Sequence, residues 1–182
     1  LAVLKQHELL FQDKRGNWKG QPVSIEVVDG AVPVWSRPYP IPLKNRETFK
    51  EEVYRQCSIG ALRELSTSEI EGREWASPCF GIPKKDGTIR LVMDFRKLNS
   101  VLKRKEYPLP TIDEMFQNIS GFIFASTINL NMGYLSIPLT AEMQKLLTIV
   151  TQFGFFKCCV LPMGVRNATD IFQSRMVGIF MS

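Results

Sequence analysis

Asp86-Gly87 separates two apolar, β-prone runs, residues 79–83 and 88–93. An Asp-Gly pair in that setting supplies the positive φ angles of a tight hairpin turn, so "CFGIPKKDGTIRLVM" is expected to form a β-hairpin. A tight turn also decides which residues of the two runs face each other. Lys84, Lys85 and Arg90 would stand near the hairpin tip.

The positive charge gathers at the same place. The net charge is +5. Residues 1–83 hold 11 Lys/Arg against 11 Asp/Glu, and residues 107–182 hold 4 against 4. Residues 84–106 hold 8 against 3, the whole excess. Local Lys/Arg density of this kind suits a polyanion, since phosphate binding rests on it; a solvated surface with scattered lysines is the plainer reading. The 182 residues suffice for one domain, or one domain plus an arm. The chain begins "LAVLKQHELL", without Met or the features of a signal peptide, and reads as a piece of something longer. No apolar run approaches the roughly 18 residues of a membrane span. Cys57, Cys79, Cys158 and Cys159 show no CxxC spacing and His7 is the single histidine, which argues against a zinc site. Cys158 and Cys159 would point to opposite faces of a strand. Reduced thiols in an intracellular protein are the expectation.

Prolines at 33, 38, 40 and 42 predict an extended arm over residues 1–43. From Lys44, Phe49, Val53 and Cys57 recur at helical spacing, with Gly60 as the stop. "ALREL" reads as a short strand and "STSEIEGREW" as a polar loop. Thr111 and Glu114 have capping-box spacing and open a helix with an apolar face of Ile112, Met115, Phe116 and Ile119. "FIFASTINL" reads as a strand, "KLLTIVTQFGFFKCCVLP" as two strands about Gln152-Phe153-Gly154. "NATDIFQSRMVGIFM" reads as a helix opened by Asn167 or Thr169, with Phe172, Met176 and Phe180 on one face. Helices and hairpins interleave without a βαβ rhythm, which predicts an α+β fold.

GxxxxGK, GxGxxG and GxSxG are all absent, and His7 lies in the arm, far from any triad. A basic hairpin, an apolar strand ending in polar residues and an "LPMG" corner remain. A polymerase needs such parts: cations for a triphosphate, strand-end carboxylates for two metal ions, and a positive groove with planar surfaces for a template.

The blocks "RPYPIP", "WASPCFGIPKKDGTIRLVMDFRKLNS", "RKEYPLPTIDEMFQNISGF", "INLNMGY" and "LPMGVRNATDIFQ" resemble, in order and spacing, the reverse transcriptase of gypsy-class LTR retrotransposons. The resemblance runs from about Asp29 to the C-terminus. It implies a right-hand polymerase fold: an arm over 1–43, then fingers over about 44–103 and 137–167 and part of a palm over about 104–136 and 168–182. It implies triphosphate contacts at Lys84 and Arg90, with Tyr134 as the sugar gate and Met163 beside the new base pair. Phe80, Arg96 and Gly164 match the template side; Phe80 could equally be a core residue. The implied partners are an RNA or DNA template-primer, a deoxynucleoside triphosphate and the rest of a Pol polyprotein, with its remaining palm, thumb and ribonuclease H. The family acts in cytoplasmic virus-like particles, and no membrane is implied.

Two departures matter. Asn129 stands where the family carries its first metal-binding aspartate. A neutral amide suits Mg²⁺, the family's cofactor, poorly, since that ion prefers anionic oxygen. The family's double-aspartate hairpin is expected beyond Ser182, so no intact metal site is expected within these residues. Asp94 is expected to pair with an arginine instead. Such a chain should show apolar surface, with an incomplete sheet edge near 122–130 and a loosely packed helix over 170–181.

Overall fold

The structure is a computed structural model that describes residues 2–12, 14–108, 111–118, 121, 123, 124, 126, 127 and 129–180. Five strands, β1 (Leu62–Glu64), β2 (Ser77–Pro83), β3 (Ile89–Met93), β4 (Thr148–Thr151) and β5 (Gly154–Cys158), form one sheet in the order β1-β5-β4-β2-β3. Neighbours run antiparallel except β2 and β4, which pair in parallel through Ser77↔Ile149 and Pro78↔Val150. The two expected hairpins are β2–β3 and β4–β5. Thr151 closes the second: its Oγ1 accepts from the Phe153 N–H at 2.9 Å and donates to the Gly154 carbonyl at 3.1 Å. All four residues of the central strand β4 are buried. Lys145 and Leu146, read as strand, instead end a helix capped by Thr140.

The helices are α1 (Ala2–Gln6), α2 (Arg46–Ser58), α3 (Thr67–Glu71), α4 (Arg96–Asn99), α5 (Ile112–Asn118), α6 (Ala141–Leu146) and α7 (Ala168–Phe180). The stripe predicted for α2 is buried at Phe49 and Val53 and half-buried at Cys57, and Gly60 ends the helix at φ +70°. The stretch read as a polar loop contains α3. Ser66 and Glu69 form a capping box there, satisfying end N–H groups that a loop would leave to water. At α5 the Thr111/Glu114 box forms as expected. Of its proposed apolar face only the Phe116 side chain is described, and it is exposed; Ile119 lies outside the described residues.

One hydrophobic core joins α2, the sheet, α4 and α6 through Phe49, Phe95, Leu98, Met143, Ile149 and Phe156. Helix α2 lies across β3 and β1. The contact depends on Gly81. A Cβ there would meet Ile89 Cγ2 at 2.6 Å and Phe49 Cδ2 at 2.8 Å, so only a residue without a side chain lets Phe49 seat on the hairpin.

The arm is extended beyond residue 14, as its prolines require, but it is no free linker. Val23 and Ile25 are buried. The Val23 N–H donates to Pro138 O at 2.8 Å, Val28 N–H to Val101 O at 2.8 Å and Ser36 N–H to Ala76 O at 3.0 Å. Isolated bridges at Val23↔Leu139, Val27↔Leu102 and Trp35↔Ala76 mark the same seams. Its first residues are not extended: α1 and a 3-10 turn, Glu8–Phe11, occupy them.

Among the described residues of 122–130 the expected strand is not found. Phe122, Ala125 and Ile128 lie outside the described residues; the described ones belong to no strand, and Ile123, Phe124 and Leu130 are exposed. An apolar pattern forms a strand only against a neighbour that completes its hydrogen bonds. Helix α7 forms over the predicted stretch, and none of its described side chains from Asp170 to Ile179 is buried, matching the loose packing expected. Phe172 is half-buried against the core, and the side chain of Phe180 lies outside the described residues. All four cysteines are free. Cys158, the last residue of β5, is buried, and Cys159, just past the strand, is half-buried. Among the described residues no helix is long and apolar enough to cross a membrane.

Gly81→Ala is expected to destabilise the fold by about 1–3 kcal/mol through overpacking, read as a melting temperature lower by several degrees. An unchanged melting curve would show that Phe49 does not depend on the gap at Gly81.

A candidate nucleic-acid interface

Strand pairing sorts the hairpin residues into two faces. Phe80 pairs with Val92 and Ile82 with Arg90, and the Lys84 N–H donates to Thr88 O at 2.8 Å, continuing the register. Alternation therefore places Phe80, Ile82, Lys84 and Arg90 on one face and Cys79, Gly81, Pro83 and Ile89 on the other. The second face enters the core, where Cys79 is 2% exposed and Ile89 3%. On the first, Phe80 is 38% exposed and Ile82 47%. Phe80 is thus a surface aromatic, its ring edge-on to Tyr39 at 6.2 Å. At the turn, Asp86 Oδ1 accepts from the Thr88 hydroxyl at 2.6 Å and the Thr88 N–H at 2.9 Å. These bonds hold the Asp86 carboxyl below its usual range. Gly87 adopts φ +81°, the conformation for which the Asp-Gly pair is suited.

The basic segment is half neutralised. Of its eight cations, Arg96 pairs with Asp94, Lys103 with Glu26 and Asp29, Arg104 with Glu106 and Lys105 with Glu26. Lys97 donates to the Ser36 hydroxyl at 3.3 Å. Lys84, Lys85 and Arg90 form no ion pair with a described residue. The cations of this segment outside any ion pair with a described residue are therefore the three of the hairpin and Lys97 of α4.

Asp94 follows β3, and its side chain is 9% exposed. It accepts from Arg96 Nε at 2.8 Å and Nη2 at 2.7 Å, and from the Tyr39 hydroxyl at 2.7 Å. Arg96 is the main reason its carboxyl lies well below the usual range. The same pairing raises Arg96, and the bond to Asp94 raises the Tyr39 hydroxyl. With its oxygens so engaged, Asp94 serves to orient Arg96, whose own side chain is 84% exposed. Sequence reasoning left Tyr39 out. The proline-flanked aromatic in "RPYPIP" is its one local signal.

Tyr134, Met163 and Gly164, widely separated in sequence, line one cavity of about 420 Å³ together with Asn99, Arg166 and Thr169. Tyr134 opens a short 3-10 turn, Tyr134–Ser136, and its ring stacks on Phe172 with centroids 4.7 Å apart. Met163 is 71% exposed at the rim. A Cβ at Gly164 would lie 3.8 Å from the Met93 carbonyl oxygen, so this corner abuts the end of β3. The cavity thus lies next to the backbone at the end of β3, and none of its lining residues belongs to the exposed hairpin face.

Asn129 is exposed and lies in neither helix nor strand. The nearest acidic residues in sequence are Glu114 and Glu142. Asp170 accepts from the Tyr107 N–H at 2.9 Å, and Asp94 is occupied by Arg96. Among the described residues no three His, Cys, Asp or Glu side chains are grouped as a metal site. The donors present do not fit a divalent ion, because a neutral amide supplies neither the charge nor the oxygen set that a hard cation takes.

Asp94→Asn is expected to cost about 1 kcal/mol, since the Tyr39 bond survives while the charge pair, screened on the exposed Arg96 side, is lost. Asp94 has a lowered pKa in the fold. Its contribution is therefore fully present above the unfolded carboxyl pKa, about 4, and is lost progressively as pH falls from there through the lower folded value. Urea melts at pH 7 and pH 3 should show the difference between wild type and variant narrowing at the lower pH. A difference that persists or grows in acid would refute this account.

A profile of the family described as reverse transcriptase (RNA-dependent DNA polymerase) matches residues 82–182. The chain is 34% identical over 155 residues to the retrovirus-related Pol polyprotein from transposon gypsy of Drosophila melanogaster, which covers 82% of this chain and 14% of that protein. It is 32% identical over 170 residues to the uncharacterized protein K02A2.6 of Caenorhabditis elegans, covering 92% of this chain and 13% of that one. It thus spans about a seventh of the length of these relatives. The solved foamy viral protease-reverse transcriptase in complex with an RNA/DNA hybrid superposes with a TM-score of 0.85 over 99% of this chain and 24% of that one, at 20% identity, a likeness of fold. With the profile covering more than half of its residues and these polyproteins among its relatives, the chain belongs to the reverse transcriptase family.

Proposed function

We propose that this chain supplies the fingers and first palm portion of a retroelement reverse transcriptase. In this reading residues 1–43 are an arm, about 44–103 and 137–167 the fingers, and about 104–136 and 168–182 part of the palm. The reaction served is templated addition of a deoxynucleotide to a primer. The primer 3′ oxygen bonds to the α-phosphorus of an incoming triphosphate, and the bond to pyrophosphate breaks. The observation that carries the reading is the hairpin face, where Lys84 and Arg90, in no ion pair with a described residue, share a face with exposed Phe80. Cations suit phosphates and an exposed ring suits a nucleobase. Lys84 and Arg90 are assigned to the triphosphate, with Tyr134 and Met163 at its sugar and base. Phe80, Arg96 and Gly164 are assigned to the template strand.

Asn129 favours a second, narrower reading, in which the chain binds nucleic acid without catalysing. A relic that has decayed out of function would carry the same change, for Asp and Asn codons differ by one base. The 182 residues contain no Asp-Asp pair, and the donors around position 129 do not fit the family's metal ions. This chain is therefore expected to bind a primer–template duplex and to extend no primer by itself.

In the second reading the same hairpin cations face the phosphates of the duplex, so duplex affinity should fall at least tenfold in Lys84→Glu/Arg90→Glu. The slope of log affinity against log salt should become shallower by about two, one for each phosphate no longer neutralised. Salt-independent or absent binding by the wild type would remove the nucleic-acid reading. Primer extension above a heat-killed control, in Mg²⁺ or Mn²⁺, would overturn the expected inactivity. In a longer chain that includes a double-aspartate hairpin, activity should require Asn129→Asp. If both versions are inert, the lesion lies elsewhere.

A further inference from the structure

Helix α4 is one turn long and joins the two halves of the site. Arg96 at its start is gripped by Asp94. Asn99 at its end reaches across 65 positions of sequence to the Met163–Gly164 corner. Both functions of the Asn99 amide are used there. Nδ2 donates to the Gly164 carbonyl at 2.9 Å, and Oδ1 accepts from the Arg166 N–H at 2.8 Å. Arg166 reciprocates, its Nη1 donating to Asn99 O at 3.1 Å and to Leu102 O at 3.4 Å. Gly164 between these contacts sits at φ +89°, a conformation that local sequence does not impose and that must be held from outside.

The chemistry singles out a primary amide of this length. It presents a donor and an acceptor side by side, matched to a carbonyl and an N–H two residues apart. Aspartate could accept from Arg166 but not donate to Gly164. Serine is too short to span both groups, and alanine offers neither.

The geometry points to Asn99 as the positioning residue that sets the Met163–Gly164 corner against the end of the hairpin and so shapes the cavity shared with Tyr134. It touches no reacting group in this role and acts through the backbone of Gly164 and Arg166. What the corner receives, a base pair of a bound duplex, rests on the proposed function above.

The test compares the full chain with Asn99→Ala, Asn99→Ser and Asn99→Asp by amide hydrogen exchange and by binding of a primer–template duplex. The Arg166 amide should exchange at least tenfold faster in the Ala and Ser variants and stay close to wild type in the Asp variant, which keeps the acceptor. The Ile149 and Phe156 amides, in the sheet, should not change in any of them. Unaltered Arg166 exchange in both the Ala and Ser variants overturns the proposal, as does acceleration spread over the sheet amides in both, which would mean a general structural role. Duplex affinity should fall several-fold in the Ala variant with the salt slope unchanged, because every phosphate-facing cation is still present. Faster Arg166 exchange with full affinity overturns the link from the corner to the ligand. A wild-type chain that binds no duplex defeats the proposed function instead, and the exchange comparison still decides whether Asn99 holds the corner.

Discussion

The register of the β2–β3 hairpin is the constraint on which the rest of the structure depends. One pairing sends Cys79 and Ile89 into the core and turns Lys84, Arg90 and Phe80 to solvent. A slip of one residue would exchange the faces. Arg90 would then press a guanidinium into the space that Ile89 fills against Phe49, and an unpaired buried charge is far costlier than the hairpin's own stability. Core and candidate site are therefore specified together: the hydrophobic demand for Ile89 inside is what holds the cations outside.

Gly81 and the extended arm show how that arrangement is completed at a distance. The glycine leaves room for α2, and the arm then closes over the body by backbone hydrogen bonds at Val23, Val28 and Ser36. Its prolines leave few N–H groups of their own to satisfy, and the bonds that do form fall between them. The arm ends by delivering the Tyr39 hydroxyl to Asp94, so a residue in a proline-rich segment becomes part of the orientation of Arg96. Arg15, nearer the start, donates to Ile59 O and Leu135 O, both at 2.8 Å, and ties the end of α2 to the turn that carries Tyr134.

Charge shows the difference between counting residues and placing them. Eight cations in 84–106 read as one basic surface. Four are neutralised, two of them by Glu26 and Asp29 of the arm, and of the four that remain three stand on the hairpin. Position 129 is the converse. An amide replaces the expected carboxylate, and among the described residues no three His, Cys, Asp or Glu side chains are grouped to form a metal site.

What the sequence determined by itself was local. Asp86-Gly87 set a turn, Thr111 and Glu114 a cap, Phe49 and Val53 a helix face, and the family blocks named Tyr134, Met163 and Gly164. In each element the deciding interactions lie within a turn or two of the chain, so the residues are read side by side. The Ser66/Glu69 box is equally local, but it is hidden in a polar composition that suggests a loop. Only the tertiary structure decided the rest. It left the described residues of 122–130 outside any strand. It diverted Asn167 from capping α7 to binding Lys103 O and the Lys105 N–H, and it placed Tyr39 on Asp94 and Asn99 on Gly164 and Arg166. Those bonds join groups more than fifty positions apart. A hydrogen bond of that span leaves no periodicity in the sequence, because its partner is chosen by the packing of the whole chain.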